Sequence, residues 1–306
     1  MILINFIFLG FLLTAVIGLI ATWFDRKITA RIQYRVGPPL LQPFIDIVKL
    51  FGKETLMPEG ASKIVFFVSP VLGLISIIIV STILWNAIIN TNKTFLGDLI
   101  VVLYFLTIPS LSIILGGFAS KNPLASIGAS REMKLVIAYE LPFILSVLVS
   151  VIKSNLSIRI GDIIKYQIAH GSIIGSWSGI LSFFVVFFCV QAKLGLVPFD
   201  VAEAETELAS GALIEYSGVS LAIYRLTKAM MFFVLPFFMI ILFCSGQIFV
   251  SLGILKFILI YIAIVTLIVI IRNVNPRLRI DQALRFFWGP MTFLSIVATI
   301  LAMRGL

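Results

Sequence analysis

Long, uninterrupted apolar runs alternate with short charged connections along the whole chain. The runs fall at 2–24, 64–89, 98–118, 133–152, 178–196, 217–243, 252–271 and 283–303. Each is close to or above the roughly 20 residues a helix needs to cross a hydrocarbon core. Backbone groups in lipid must be satisfied within the segment, and the apolar positions are continuous rather than alternating. The runs therefore predict helices and not barrel strands. The pattern predicts an all-α, polytopic integral membrane protein of about eight transmembrane helices, one membrane domain over residues 1–306. The first run has no charged n-region and no small-residue cleavage site, so it reads as a retained span and not a signal peptide.

One segment has a different period. Within residues 40–53, Leu41, Phe44, Ile45, Val48 and Phe51 recur at helical spacing among Asp46, Lys49 and Lys53. That predicts an amphipathic helix lying in the interface. Gly37, Pro38 and Pro39 just before it predict a turn.

Composition agrees: 60% of residues are hydrophobic and 12% charged, against about a quarter charged in soluble domains. The net charge of +9 comes from Lys and Arg gathered at the ends of apolar runs, which argues for membrane topology and against nucleic acid. Arg26, Lys27, Arg31, Arg35, Lys49, Lys53 and Lys63 crowd the first connection, and Arg272, Arg277, Arg279 and Arg285 the last. By the positive-inside rule these odd-numbered connections face the cytoplasm, in a multi-pass cell-membrane protein whose termini both lie outside. Cys189 and Cys244 sit in apolar runs without Cys or His at ligand spacing, so no metal site is expected.

Candidate chemistry is concentrated in an acidic connection, residues 197–216. It holds Asp200, Glu203, Glu205, Glu207 and Glu215, five of the fourteen acids in the chain. Pro198 ends any incoming helix, and Asp200 with Glu203 predicts the start of a new one, on which Asp200, Glu203 and Glu207 share a face. Acids in a first turn also complement the helix dipole. Clustered at a membrane mouth, they would raise one another's pKa and allow proton exchange near neutrality. Glu140 lies inside the fourth run, where an ionised carboxylate is costly and is usually functional or paired. Arg225 and Lys228 of the sixth run are its expected basic partners. Lys27, Arg31 and Arg35 recur every four residues below the first run, a pattern equally produced by side chains snorkelling to lipid headgroups. His170 lies in a predicted loop and receives no role.

Three stretches carry a resemblance: "DRKITARIQYRVGPPLLQPFIDIVKLFGKE" from Asp25, "REMKLVIAYELPF" from Arg131 and "PFDVAEAETELASGALIEYSG" from Pro198. Together they resemble the membrane subunit of respiratory complex I that docks the hydrophilic arm, and its counterparts in membrane-bound energy-converting NiFe hydrogenases. Arg35, Val36, Gly37, Pro38 and Pro39 run directly into Leu40, Leu41, Gln42 and Pro43, without the longer glycine-rich insert usual in complex I. This compact form is similar to the archaeal hydrogenase and sulfur-reductase type, and it puts a quinone site in doubt.

The resemblance implies a ferredoxin-oxidising, ion-translocating complex, hydrogen-evolving or sulfur-reducing. This chain would be a coupling subunit with no redox centre of its own. Iron–sulfur clusters and NiFe would lie in a catalytic large subunit and small subunits on the cytoplasmic side, with antiporter-like subunits and lipid as membrane neighbours. It also implies that Glu140, Asp200, Glu203, Glu205, Glu207 and Glu215, with Arg225 and Lys228, couple redox chemistry to proton or sodium movement. Arg26, Lys27, Arg31, Arg35, Gly37, Pro38, Asp46 and Lys49 would form the docking approach. The rival readings are a quinone-site subunit of an NADH or ferredoxin:quinone oxidoreductase and a passive membrane anchor.

Overall fold

The computed structural model describes residues 5–202, 209, 211–248 and 253–306. Among them there is no strand, as the continuous runs predict. Seven helices among the described residues are long and apolar enough to cross a membrane: α1 (Phe6–Ile32), α3 (Lys63–Ile89), α4 (Asp98–Ala119), α5 (Pro123–Lys153), α8 (Gly218–Gly246, continuing to Ile248), α9 (Gly253–Val274) and α10 (Ile280–Met303). The expected fifth span is α7 (Trp177–Lys193), whose 17 residues reach only about 26 Å at 1.5 Å per residue. The amphipathic segment forms α2 (Gln42–Phe51), turning Phe44 and Ile47 toward the core while Ile45, Val48 and Phe51 stay exposed.

Several boundaries differ from the hydropathy reading, each for a local reason. α1 runs past residue 24 to Ile32, so its charged end stays helical. α5 starts ten residues before the expected 133, because the Asn122 side chain caps the Leu124 N–H at 2.9 Å and Pro123 fits the first turn. α4 is interrupted around Leu106 and Thr107, just before Pro109. A further helix, α6 (Ile160–His170), occupies the predicted loop, burying Ile160, Ile163, Ile164 and Gln167. His170 is thus the last residue of a helix rather than a loop residue. Asp200 to Ala202 are irregular rather than helical, and Glu203, Glu205 and Glu207 lie outside the described residues.

The core is built around α8. From Ala229 to Phe243 it is apolar on every side and buried, as a helical stretch without a polar face must be. It packs against α1, α3, α6 and α9. Small residues set the approach: a Cβ on Gly18 of α1 would lie 2.4 Å from the Ala229 carbonyl oxygen of α8. A second layer of α5, α7 and α10 packs together beside it.

The two ends of the bundle are distinct. One gathers the connections around residues 33–62, 194–202, 211–217 and 275–279, fastened where the Leu56 N–H donates to Ser217 Oγ at 2.9 Å and Leu278 N–H to Pro198 O at 2.9 Å. The other holds α6, the start of α7 and the chain end, where Ser178 Oγ donates to Leu306 O.

Candidate functional site

At the first end the helices splay around an open cavity of about 720 Å³. Among the described residues its wall combines Leu19, Ala229 and Phe232 with six cations, Arg26, Arg35, Arg225, Lys228, Arg272 and Arg277, and three carboxylates, Asp25, Asp46 and Asp200. Among the described residues, three ion pairs brace it. Asp25 Oδ2 of α1 accepts from Arg272 Nη1 of α9 at 2.6 Å, Asp46 of α2 accepts from Arg26 of α1 at 2.8 Å, and Asp200 accepts from Arg277 at 3.1 Å. Each pair joins two of the segments that wall the cavity. Slight burial pushes the Asp46 carboxyl up, but hydrogen bonds from Arg26 and Gln42 outweigh it and hold it below its ordinary range.

The turn before α2 forms the rim. Gly37 has φ +77°, open to glycine at little cost, and Pro38 O accepts from Trp23 Nε1 at 3.1 Å. Arg35 and Arg26 reach the cavity from this rim, whereas Arg31 and Lys49 are exposed and do not line it. Lys27 lies under the turn, its Cδ 3.1 Å from where a Gly37 Cβ would sit. Arg35 follows the end of α1, so the expected helical face of Lys27, Arg31 and Arg35 stops at Arg31.

Deeper in, a narrow cavity of about 30 Å³ shares Leu194, Gly195, Asp200 and Lys228 with the open one and continues to Ser110, Glu132 and Lys193. That is room for one or two waters with several polar partners. Lys193, the last residue of α7, has a side chain only 1% exposed, and its Nζ donates to Glu140 Oε2 at 2.9 Å. The ammonium also lies 4.9 Å from the Tyr139 ring centroid and 4.6 Å from that of Phe143. A buried cation thus rests between one carboxylate and two aromatic faces, which partly replace lost hydration.

The partner of Glu140 is therefore Lys193, not Arg225 or Lys228, which line the open cavity instead. Asp200 sits where the two cavities meet. Glu215 stands apart, accepting from Asn122 Nδ2 at 2.5 Å at the start of α5.

Asp25, Glu132 and Lys193 were not picked out by the acidic-cluster argument. Lys193 carried a usable signal, a lone charge in an apolar run, the same that marked Glu140. Among the described residues no three His, Cys, Asp or Glu side chains gather as a metal ion would require. Both cysteines are buried free thiols.

Residues 4–303 match the family described as NADH dehydrogenase. The chain is 33% identical over 310 residues to an NADH-quinone oxidoreductase subunit of Brevibacillus brevis, covering 94% of this chain and 90% of the relative. It is 30% identical to the subunit bearing the same name in Dehalococcoides mccartyi, over 96% and 84%. Its fold is similar to a chain of the membrane-bound sulfane sulfur reductase, an archaeal respiratory membrane complex. There the TM-score is 0.85 at 26% identity, covering 98% of this chain and 99% of that one.

Proposed function

The chain belongs to the NADH dehydrogenase family and is a membrane subunit of a complex I-like oxidoreductase; from that premise we propose that it docks a peripheral redox arm and couples electron transfer to ion pumping. The observation that carries this reading is that Asp200, Lys228, Glu132 and Lys193 line one narrow cavity that joins the open one, and that Lys193 in turn pairs with Glu140. Charged side chains at this depth are usually kept for ion or proton movement.

In this reading the arm sits on the first bundle end, with Arg26, Arg35 and Asp46 at the docking rim and Lys27, Arg31 and Lys49 around it. A redox step above changes the charge felt by Asp200 and by Glu203, Glu205 and Glu207. Glu132 lines the same narrow cavity as Lys193, so a change there shifts the proton shared between Lys193 Nζ and Glu140 Oε2. That transfer needs one hop across 2.9 Å, and water in the narrow cavity resupplies Lys193. Glu140 retains a side chain 23% exposed, the edge from which an antiporter-like neighbour would take up the change. Iron–sulfur clusters and a NiFe or modified centre belong to partner subunits, and no step here runs through them.

The finer assignment is a ferredoxin-oxidising complex that evolves hydrogen or reduces a sulfur compound. The structural likeness to the sulfur reductase supports it. A second reading, quinone reduction, is favoured by the cavity volume and by the names of the sequence relatives. Purified complex given reduced ferredoxin should evolve hydrogen or reduce polysulfide and leave a quinone analogue unreduced. Quinone reduction without ferredoxin activity would replace the first reading with the second. Glu140→Gln in the assembled complex should abolish coupled ion transport; transport at the wild-type level would leave a passive anchor.

A further inference from the structure

The opposite end of the bundle carries a cavity that the coupling reading does not use. It encloses about 560 Å³ between the end of α5, the end of α6, the start of α7 and the start of α9. Lys153, Lys256, His170, Ser172 and Ser176 line it, and none of the described lining residues is acidic. Lys153 is the last residue of α5 and Lys256 stands in the first turn of α9. Among the described residues neither lysine has an ion-pair or hydrogen-bond partner, whereas the nearby Lys165 pairs with Asp162 at 3.7 Å. Ser172 Oγ is buried there with no hydrogen-bond partner. Two half-buried ammonium groups without an ion-pair partner and a buried, unsatisfied hydroxyl line one recess, and the hydroxyl lacks the partner that would offset its burial.

Their chemistry fits a phosphodiester, whose oxygens accept from ammonium and hydroxyl donors alike. The volume is far more than a bare phosphate fills and lies in the range of organic ligand sites. The surroundings are those of a membrane boundary: Trp177 beside Ser176 is 72% exposed, and Ile254 and Leu255 beside Lys256 are 81% and 56% exposed. Lysines that merely snorkel would project separately to headgroups, whereas these two converge on a walled recess. We propose that this recess binds the headgroup of an anionic phospholipid, with Lys153 and Lys256 on its phosphate, Ser172 Oγ donating to it, and the acyl chains along Ile254 and Leu255.

The test uses the intact complex, delipidated in a neutral detergent, with retained lipid counted by native mass spectrometry and stability followed by thermal unfolding. Added phosphatidylglycerol should bind and raise the unfolding midpoint, while phosphatidylcholine and inorganic phosphate at the same concentration should not. Each lysine removed, in Lys153→Gln or Lys256→Gln, should weaken phosphatidylglycerol binding about fivefold. Ser172→Ala, a smaller change, provides a reading should either lysine variant fail to assemble. Equal effects of the two lipids, or unchanged phosphatidylglycerol binding in the variants, overturn the proposal. An effect of phosphate matching that of phosphatidylglycerol overturns it in favour of a soluble anion.

Discussion

Lys193 Nζ lies 2.9 Å from Glu140 Oε2, tying the last residue of α7 to the middle of α5. The lysine is all but sealed from solvent and the glutamate is not, so the two ends of the pair depend on it unequally. Glu140→Gln leaves an ammonium buried among aromatic rings, which is costlier than leaving Glu140 at its partly open edge. Glu140→Gln should therefore lower the unfolding midpoint of the complex more than Lys193→Met does, and the double variant should recover much of the loss. A double-mutant cycle on thermal unfolding should return a coupling of about 2 kcal/mol. Additive losses would mean that the pair carries no energy of its own.

Two other ion pairs allow burial to be weighed against exposure. Asp25 and Arg272 have side chains 12% and 36% exposed, while Asp46 and Arg26 are 26% and 45% exposed. Breaking the first strands a mostly buried charge at the α1–α9 contact, at a cost of about 3 kcal/mol. Breaking the second should cost less than about 1 kcal/mol. Thermal unfolding of Arg272→Ala and Arg26→Ala should differ in that order, and the difference should survive added salt, since screening acts mainly on the exposed pair.

The fold was legible in the sequence where a single physical signal dominated. Continuous apolar runs marked the long helices, and the 40–53 periodicity marked α2 because one helix lies between protein and interface. Helix α6 escaped because it is short and partly polar, so its buried Ile163 and Ile164 do not stand out in a hydropathy window. The early start of α5 escaped because a cap is written in Asn122 and Pro123, not in apolar residues. At the site, Glu140 was legible because a lone carboxylate in lipid is expensive. Its partner was not, because which helix faces Glu140 is decided by packing: α7 lies against α5, whereas Arg225 and Lys228 turn to the open cavity. The Asp25–Arg272 pair, separated by 247 positions, had no local signal at all.

Close helix approach makes a separate prediction. Gly18→Ala would bring a methyl group to 2.4 Å from Ala229 O and 2.8 Å from its carbonyl carbon, backbone atoms that cannot swing away. Forcing α1 off α8 should cost about 1–3 kcal/mol. Gly289→Ala in α10 meets nothing within 4 Å, so it should be neutral or slightly stabilising, since alanine is the better helix former. Equal midpoints for the two variants would show that α1 is free to shift.

The Arg26–Asp46 pair should give α2 a defined acid sensitivity. Asp46 has an ordinary pKa of 3.8, and in the folded protein its hydrogen bonds from Arg26 and Gln42 hold it lower. A carboxyl depressed on folding contributes stability that is fully present above the unfolded value and is lost as pH falls through the folded one. The contribution should thus be constant across neutral and mildly acidic pH and fade only below about 4. Amide hydrogen exchange over Gln42–Phe51, compared at each pH between wild type and Asp46→Asn, reads this directly. The extra protection of the wild type should be flat from neutral pH down to about 5 and should shrink steadily as pH falls below the ordinary carboxylate value. A difference that instead disappears between pH 8 and 6 would assign the hold on α2 to a group other than Asp46, because a carboxyl held this low remains ionised throughout that interval.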